Sequence, residues 1–171
     1  MLGSHRGFTL IEAMLVLALL SMILGIGVPA VRQMIHGQQV RKASIDLATA
    51  LILSRQEAIM RRRAVVLERR DGDWSLGWRI FVDHNGNGAF DAGELVLKTG
   101  DAIADGVRIS ANTPVSHYVR YLPTGRAKLQ SGAFQAGTIT LCHADAAQAV
   151  RRLIISATGR LRTVKEAAGS C

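Results

Sequence analysis

Only 5% of the 171 residues are aromatic, and the chain holds just three prolines, two cysteines and 13 acids against 21 lysines and arginines. So few prolines, with no tandem period, exclude collagen-like, mucin-like and solenoid organisation. Trp74, Trp78, Tyr118 and Tyr121 could stack on bases, but Trp78, Phe81 and Phe134 more often fill a core. His5, His36, His84, His117 and His143 are scattered singly, without zinc-ligand spacing or helical pairing, and none reads as a ligand. Gly86 and Gly88 lack the Lys-Ser/Thr of a phosphate loop, and no serine stands in an elbow motif. No catalytic constellation is visible, and the chain reads as a non-enzyme. With 49% hydrophobic and 20% charged residues it is no disordered polyelectrolyte. Its length suits one domain of about 100–150 residues plus an appendage. A formal charge of +8 points to an anionic partner, nucleic acid or lipid headgroups.

The apolar residues are concentrated at one end. From Ala13 to Val31 nineteen consecutive positions carry no charge, and between Phe8 and Val31 the only polar side chains are Thr9, Glu12 and Ser21. About 20 residues rising about 1.5 Å each cross the roughly 30 Å hydrocarbon core of a bilayer, so this stretch is long enough to span one. A cleaved secretory signal fits poorly, because the small-residue pattern around Gly25, Gly27 and Pro29 is weak and the helical pattern continues past it. Pro29 after two glycines predicts a kink or local melting over 25–29 without an end to the helix. Beyond it Val40, Ala43, Leu47, Leu51 and Ser54 recur at three- and four-residue spacing, with Ile45, Ile52 and Ile59 on a neighbouring stripe. One face is expected to pack on a globular body. Arg61-Arg62-Arg63 stand where a helix carboxyl end favours cations, so the helix is expected from about Phe8 to about Arg61, with Gly37 a soft spot.

From Ala64 the pattern changes to short β-branched and aromatic runs separated by Gly, Asp and Asn clusters. Strands are expected at Ala64–Arg69, Gly77–Val82, Leu95–Lys98, Val107–Ser110, His117–Leu122, Gly137–Cys142, Arg152–Ser156 and Arg160–Val164. The fold class is therefore α+β, a long amino-terminal helical spine packed on a β-sheet domain.

The first residues carry the most specific motif. Met1-Leu-Gly-Ser-His-Arg-Gly7 precedes Phe8-Thr9-Leu10-Ile11-Glu12 and then the apolar helix. This resembles the type IV pilin family, whose leader ends in Gly before Phe-Thr-Leu-Ile-Glu and about twenty apolar residues. The resemblance implies cleavage after Gly7 by a prepilin peptidase, methylation of Phe8, and assembly with other pilins or pseudopilins. Independently, a lone carboxylate in an apolar helix costs about 2.5–3.5 kcal/mol at the bilayer centre and so calls for a partner. Glu12 lies one turn after Phe8, whose new amine could neutralise it. A count of positive charges alone would put the carboxyl side in the cytoplasm, since Arg32, Arg41 and Lys42 come after the span. The resemblance implies the reverse: an inner-membrane anchor with a periplasmic body. The divisions expected are a leader at 1–7, a membrane and assembly helix at 8–31, an amphipathic helix at 32–63 and a β-rich domain at 64–171.

The body is similar to the FimT/GspH group of minor pilins and pseudopilins through Gly77-Trp78-Arg79-Ile80-Phe81-Val82-Asp83, Asn85-Gly86-Asn87-Gly88, Asp91-Ala92-Gly93-Glu94, Leu141-Cys142, Ile155-Ser156 and Thr158-Gly159-Arg160. Asp83, Asn85, Asn87, Asp91 and Glu94 also have EF-hand spacing, with Gly88 at position six. The strand-like flanks favour a metal-free hairpin loop, with calcium as the alternative. Cys142 and Cys171 are an even pair in a body that the resemblance makes periplasmic, and are expected to form a disulfide. In the FimT branch a carboxyl-terminal Gly-Arg-x-Arg motif goes with DNA binding in natural transformation, and Gly159-Arg160-Leu161-Arg162 matches it. Arginines two apart on a strand share a face, and Lys165 and Arg152 are expected nearby. The alternative is an edge strand whose arginines serve solubility. A second alternative is a GspH-like structural role in the pseudopilus of type II protein secretion.

Overall fold

The computed structural model describes residues 9–169 and 171. Helix α1 covers Leu10–Arg61 and is followed by β1 (Ala64–Arg70), β2 (Asp73–Asp83), β3 (Val96–Gly100), β4 (Val107–Ala111), a 3-10 turn (Thr113–Val115), β5 (Tyr118–Tyr121), β6 (Gly137–His143), β7 (Ala149–Ile155) and β8 (Leu161–Ala168). Two antiparallel four-stranded sheets result, ordered β3-β2-β1-β5 and β4-β6-β7-β8. The chain divides into two units, residues 1–35 and 36–171.

In the first unit, α1 is apolar on every side from Ala13 to Leu20, and none of its most apolar window is buried. The helix is unbroken through Gly25, Gly27 and Pro29, so the local melting expected there does not occur. Pro29 deprives only one carbonyl of its partner, that of Gly25. Opening the turn further would leave additional backbone groups unpaired in an apolar surrounding.

The second unit is built on the amphipathic part of α1. Val40, Ala43, Leu47, Ala50, Leu51 and Ala58 are buried, whereas the stripe of Ile45, Ile52 and Ile59 is exposed. The buried face shares one core with Val65, Leu67, Ile80, Val82, Val119 and Tyr121 of the first sheet and Val107, Ile139, Leu141, Leu153 and Ile155 of the second. Full burial of a residue such as Leu51 contributes roughly 1.5–3 kcal/mol. Ser54 sits in this face with its hydroxyl donating to the Ala50 carbonyl at 2.7 Å, so no polar atom is stranded. The helix stops at Arg62, which takes a left-handed conformation (φ 52°).

β2 begins at Asp73 rather than Gly77, because Asp71 (φ 48°) and Gly72 (φ 83°) make a two-residue hairpin turn after β1. Val66 and Phe81, on the first sheet's face away from the core, are nonetheless fully buried. The loop after β2 covers them: Phe90 meets Phe81 edge-on at 5.3 Å, and the Arg79 guanidinium lies 3.7 Å above the Phe90 ring.

Candidate functional site

Glu12 stands in the first turn of α1. Its Oε2 accepts the Thr9 N–H at 2.9 Å and the Thr9 hydroxyl at 3.0 Å, and its own N–H donates to Thr9 Oγ1 at 3.3 Å. Thr9 and Glu12 therefore form a capping box, in which both ends of the pair satisfy orphan donors. The Thr-x-x-Glu spacing is itself a sequence signal for such a box, and it gives Glu12 a partner other than the amine of Phe8. Gly7 and Phe8, the expected cleavage and methylation positions, lie outside the described residues.

At the other end of the chain, β8 starts at Leu161, so Arg160 precedes the strand and the pair does not lie together along it. Gly159 is buried in the turn with φ +76°, and a Cβ there would sit 2.2 Å from the Gly125 carbonyl oxygen. That contact exposes a repetition. Thr124-Gly125-Arg126 and Thr158-Gly159-Arg160 form turns with the same hydrogen bonds: Leu122 N–H to the Arg126 carbonyl and Gly125 N–H to the Leu122 carbonyl in one, Ser156 N–H to the Arg160 carbonyl and Gly159 N–H to the Ser156 carbonyl in the other. The two turns pack together, and the arginine after each glycine is exposed. Arg160 also lines a cleft of about 230 Å³ with Arg55, Gln56, Ile52 and Tyr121.

Register separates the remaining cations. Arg162 pairs with Ile154 and Arg152 with Val164, so Arg162 and Arg152 share the outward face of β7 and β8, whereas Lys165, opposite Arg151, falls on the other face. Arg152 is engaged by Glu166 at 3.1 Å. Among the described residues no acid reaches salt-bridge distance of Arg160 or Arg162. The expected cluster is thus narrower on one side, losing Lys165 and half of Arg152, and gains Arg126. Cys142 and Cys171 are joined by a disulfide with Cα atoms 5.5 Å apart, tying the chain end to β6. Trp74, Trp78 and Tyr121 are buried and unavailable for stacking, while Phe134, expected in a core, is exposed under Lys128.

The Asp83–Glu94 segment is a strand-to-strand loop. Asp83, with a fully buried side chain, accepts Gly86 N–H at 2.7 Å, Gly88 N–H at 3.1 Å and Arg120 Nε–H at 2.9 Å. Asp91 Oδ2 accepts the side-chain amides of Asn85 and Asn87 at 2.7 and 2.6 Å, and Glu94 accepts the N–H groups of His84 and Asp91 at 2.9 and 3.1 Å. Asn85 and Asn87 oxygens accept Asn87 and Ala89 N–H. All five candidate calcium ligands accept hydrogen bonds within the loop, Asp91 through Oδ2 alone, and the Arg120 cation of β5 pairs with the Asp83 charge.

The histidines are not all solitary. The His36 and His143 rings stack at 4.0 Å, and the Asp145 carboxylate reaches both. The Ala147 N–H and the His36 ring hold the Asp145 carboxyl down at about 2, with a smaller contribution from His143. His36 and Asp145 lie 109 positions apart, and no local spacing could have joined them.

The family described as Type II transport protein GspH matches residues 43–159, and the Prokaryotic N-terminal methylation motif matches residues 2–28. The pilin-like protein PilA1 of Thermus thermophilus is 36% identical over 91 residues, 53% of this chain; the chain spans 56% of that relative's length. Among crystal structures, the type IV minor pilin FimU of Pseudomonas aeruginosa superposes with a TM-score of 0.61 at 23% identity, over 74% of this chain and 89% of that one. The minor pseudopilin EpsH of the Vibrio cholerae type 2 secretion system gives 0.56 at 11% identity, over 74% and 97%. Those two likenesses speak for the fold. With the family match over most of the globular unit and the methylation motif ahead of it, the chain belongs to the GspH family of type IV pilin-like minor pilins and pseudopilins.

Proposed function

We propose that the chain is a minor pilin whose leader is removed after Gly7 by a prepilin peptidase, with methylation of Phe8, and whose residues 8–31 anchor it in the bacterial inner membrane until it enters a pilus with other pilins. In this reading the globular unit faces the periplasm, and Glu12 passes from its Thr9 cap to the amine of a Phe8 during assembly. The unit then binds DNA non-specifically for uptake in natural transformation, and no step is catalytic.

The observation that carries the DNA reading is the exposure of Arg160 and Arg162 without acidic partners, beside the sister turn's Arg126. Guanidinium groups donate paired hydrogen bonds to phosphate oxygens and keep their charge at any working pH. Such contacts read no sequence. Three arginines give modest affinity, which several subunits along a filament raise by avidity. Lys165 and Arg152 contribute less, one on the opposite face and the other held by Glu166.

Retardation of duplex DNA by residues 36–171 tests this. Three phosphates neutralised by Arg126, Arg160 and Arg162 give a slope of log affinity against log salt of about −2.7, falling to about −0.9 in Arg160→Ala/Arg162→Ala. Unchanged binding in that double variant would sink the assignment. It would favour the second reading, a GspH-like minor pseudopilin with a structural role in type II secretion, which the family match over 43–159 and the EpsH fold support.

A further inference from the structure

His36 on α1, His143 at the end of β6 and Asp145 in the turn to β7 meet within the globular unit. His36 Nδ1 lies 2.9 Å from Asp145 Oδ2 and His143 Nδ1 lies 2.9 Å from Asp145 Oδ1. The two rings are nearly parallel, 17° apart. Both present the same nitrogen to one carboxylate, one to each of its oxygens, so one acid gathers two imidazoles from three separate elements.

The surroundings fix that direction. His143 is 7% exposed, and its Nε2 edge is pressed against Gly106, where an added Cβ would lie 2.5 Å away. Gly106 has φ +85°, so the chain uses glycine there both for its backbone and to admit the ring. With Nε2 against the backbone, Nδ1 is the nitrogen that faces Asp145, whose Oδ1 lies 2.9 Å away and whose own N–H reaches it at 3.4 Å, a long contact that an ion would displace. Asp145 is itself braced by the Ala147 N–H at 3.0 Å, which holds the carboxylate toward the rings.

We propose that His36, His143 and Asp145 form a binding site for a divalent transition-metal ion of the zinc class. Two imidazoles and a carboxylate suit such ions, and three protein ligands leave a fourth position to water. No thiolate is available, since both cysteines are in the disulfide, so soft monovalent copper is disfavoured. The donor atoms lie within 4.8 Å of one another. Bonds of about 2.0–2.2 Å in tetrahedral geometry need donors roughly 3.3–3.5 Å apart, so loading requires a closure on the order of 1 Å and a tilt of the stacked rings that brings both Nδ1 lone pairs onto one ion. Neutral imidazole binds metal through Nδ1 once its proton resides on Nε2 or leaves to solvent, so loading balances as a tautomer shift or a proton release. The ion would clamp α1, at the residue where the globular unit begins, to the turn just after disulfide-bonded Cys142.

The test uses the full chain in detergent micelles, stripped with a chelator and titrated with Zn²⁺ by calorimetry. The expected result is one ion per chain. Losing even an outer-shell partner costs about 10–100-fold in metal affinity, so His36→Ala and His143→Ala should each weaken binding on the order of 100-fold, and Asp145→Asn at least about tenfold. Native protein that shows no saturable binding overturns the proposal, as does undiminished binding in His36→Ala/His143→Ala, which would place the ion on His5, His84 or His117. In case a variant misfolds, nitrogen NMR of the native protein decides alone. Zinc must shift the Nδ1 signals of two histidine rings, with cross-ring contacts showing that these are the stacked pair, and a titration that leaves that pair unmoved refutes the site.

Discussion

Asp83→Asn is the sharpest probe of how the globular unit holds its second layer. The Asp83 side chain is fully buried and Arg120 is only 13% exposed, so their 2.9 Å contact is an ion pair largely out of water. Asp83 also ties down Gly86 and Gly88, and through them the loop covering Val66 and Phe81. Asparagine keeps one carbonyl oxygen, enough for the Gly86 N–H, but turns an NH₂ toward Gly88 N–H and Arg120. Removing one member of a buried pair typically costs about 3–5 kcal/mol, because the remaining charge is stranded. With a urea slope of about 2 kcal/mol/M, the midpoint should fall by roughly 1.5–2.5 M. Fluorescence of the buried Trp74 and Trp78 reports the transition in residues 36–171, which contain the whole core. Adding Arg120→Met to Asp83→Asn should recover part of the loss, since the stranded cation is gone. A midpoint unchanged by Asp83→Asn would refute the reasoning. So would a large rise of the native midpoint on adding millimolar calcium, because a cation would then hold the loop where we assign Arg120.

Arg62 ends α1 in a left-handed conformation that costs an ordinary residue about 1–2 kcal/mol, so Arg62→Gly should raise the thermal midpoint and add up to about 1 kcal/mol after glycine's own entropy cost. Reducing the Cys142–Cys171 disulfide, 29 positions apart, should cost about 3–4 kcal/mol in the chain-entropy account. Hydrogen exchange along β8 should accelerate before that along β6, since the tether holds the chain end.

The helix and all eight strands are legible in the sequence because each carries its own period and is bounded by turn residues. β2 is longer than its sequence suggests, since Gly77 looks like a beginning; Asp71-Gly72, a hairpin signal a few residues earlier, marks the true one. Gly77 is instead a bulge position whose Cβ would strike the Gly100 carbonyl at 2.4 Å. Phe134 and Gln135 show where hydrophobicity misleads: the phenylalanine is 61% exposed and the glutamine fully buried. Gln135 can be inside because its oxygen accepts Arg120 N–H and its amide donates to the Pro114 and Tyr118 carbonyls. Those partners lie 15 to 21 positions away, and no pattern in the local sequence announces them.

The Gly-Arg-x-Arg motif separates in the structure into two kinds of residue. Gly159 is demanded by the fold, since neither its φ of +76° nor its contact with Gly125 admits a side chain. Gly125 answers to the same demand at +73°, which is why a glycine stands at the same place in both turns. A defect in Gly159→Ala therefore reports on the packing of two turns. The arginines are different: the position after each glycine is exposed, and any soluble residue would serve the turn. Placing cations at both positions, with Arg55 lining the cleft beside Arg160, adds mutual repulsion to the free protein. Under the proposed DNA reading, phosphates would relieve that repulsion and release counterions as they bind; under the alternative, the same exposed arginines serve solubility.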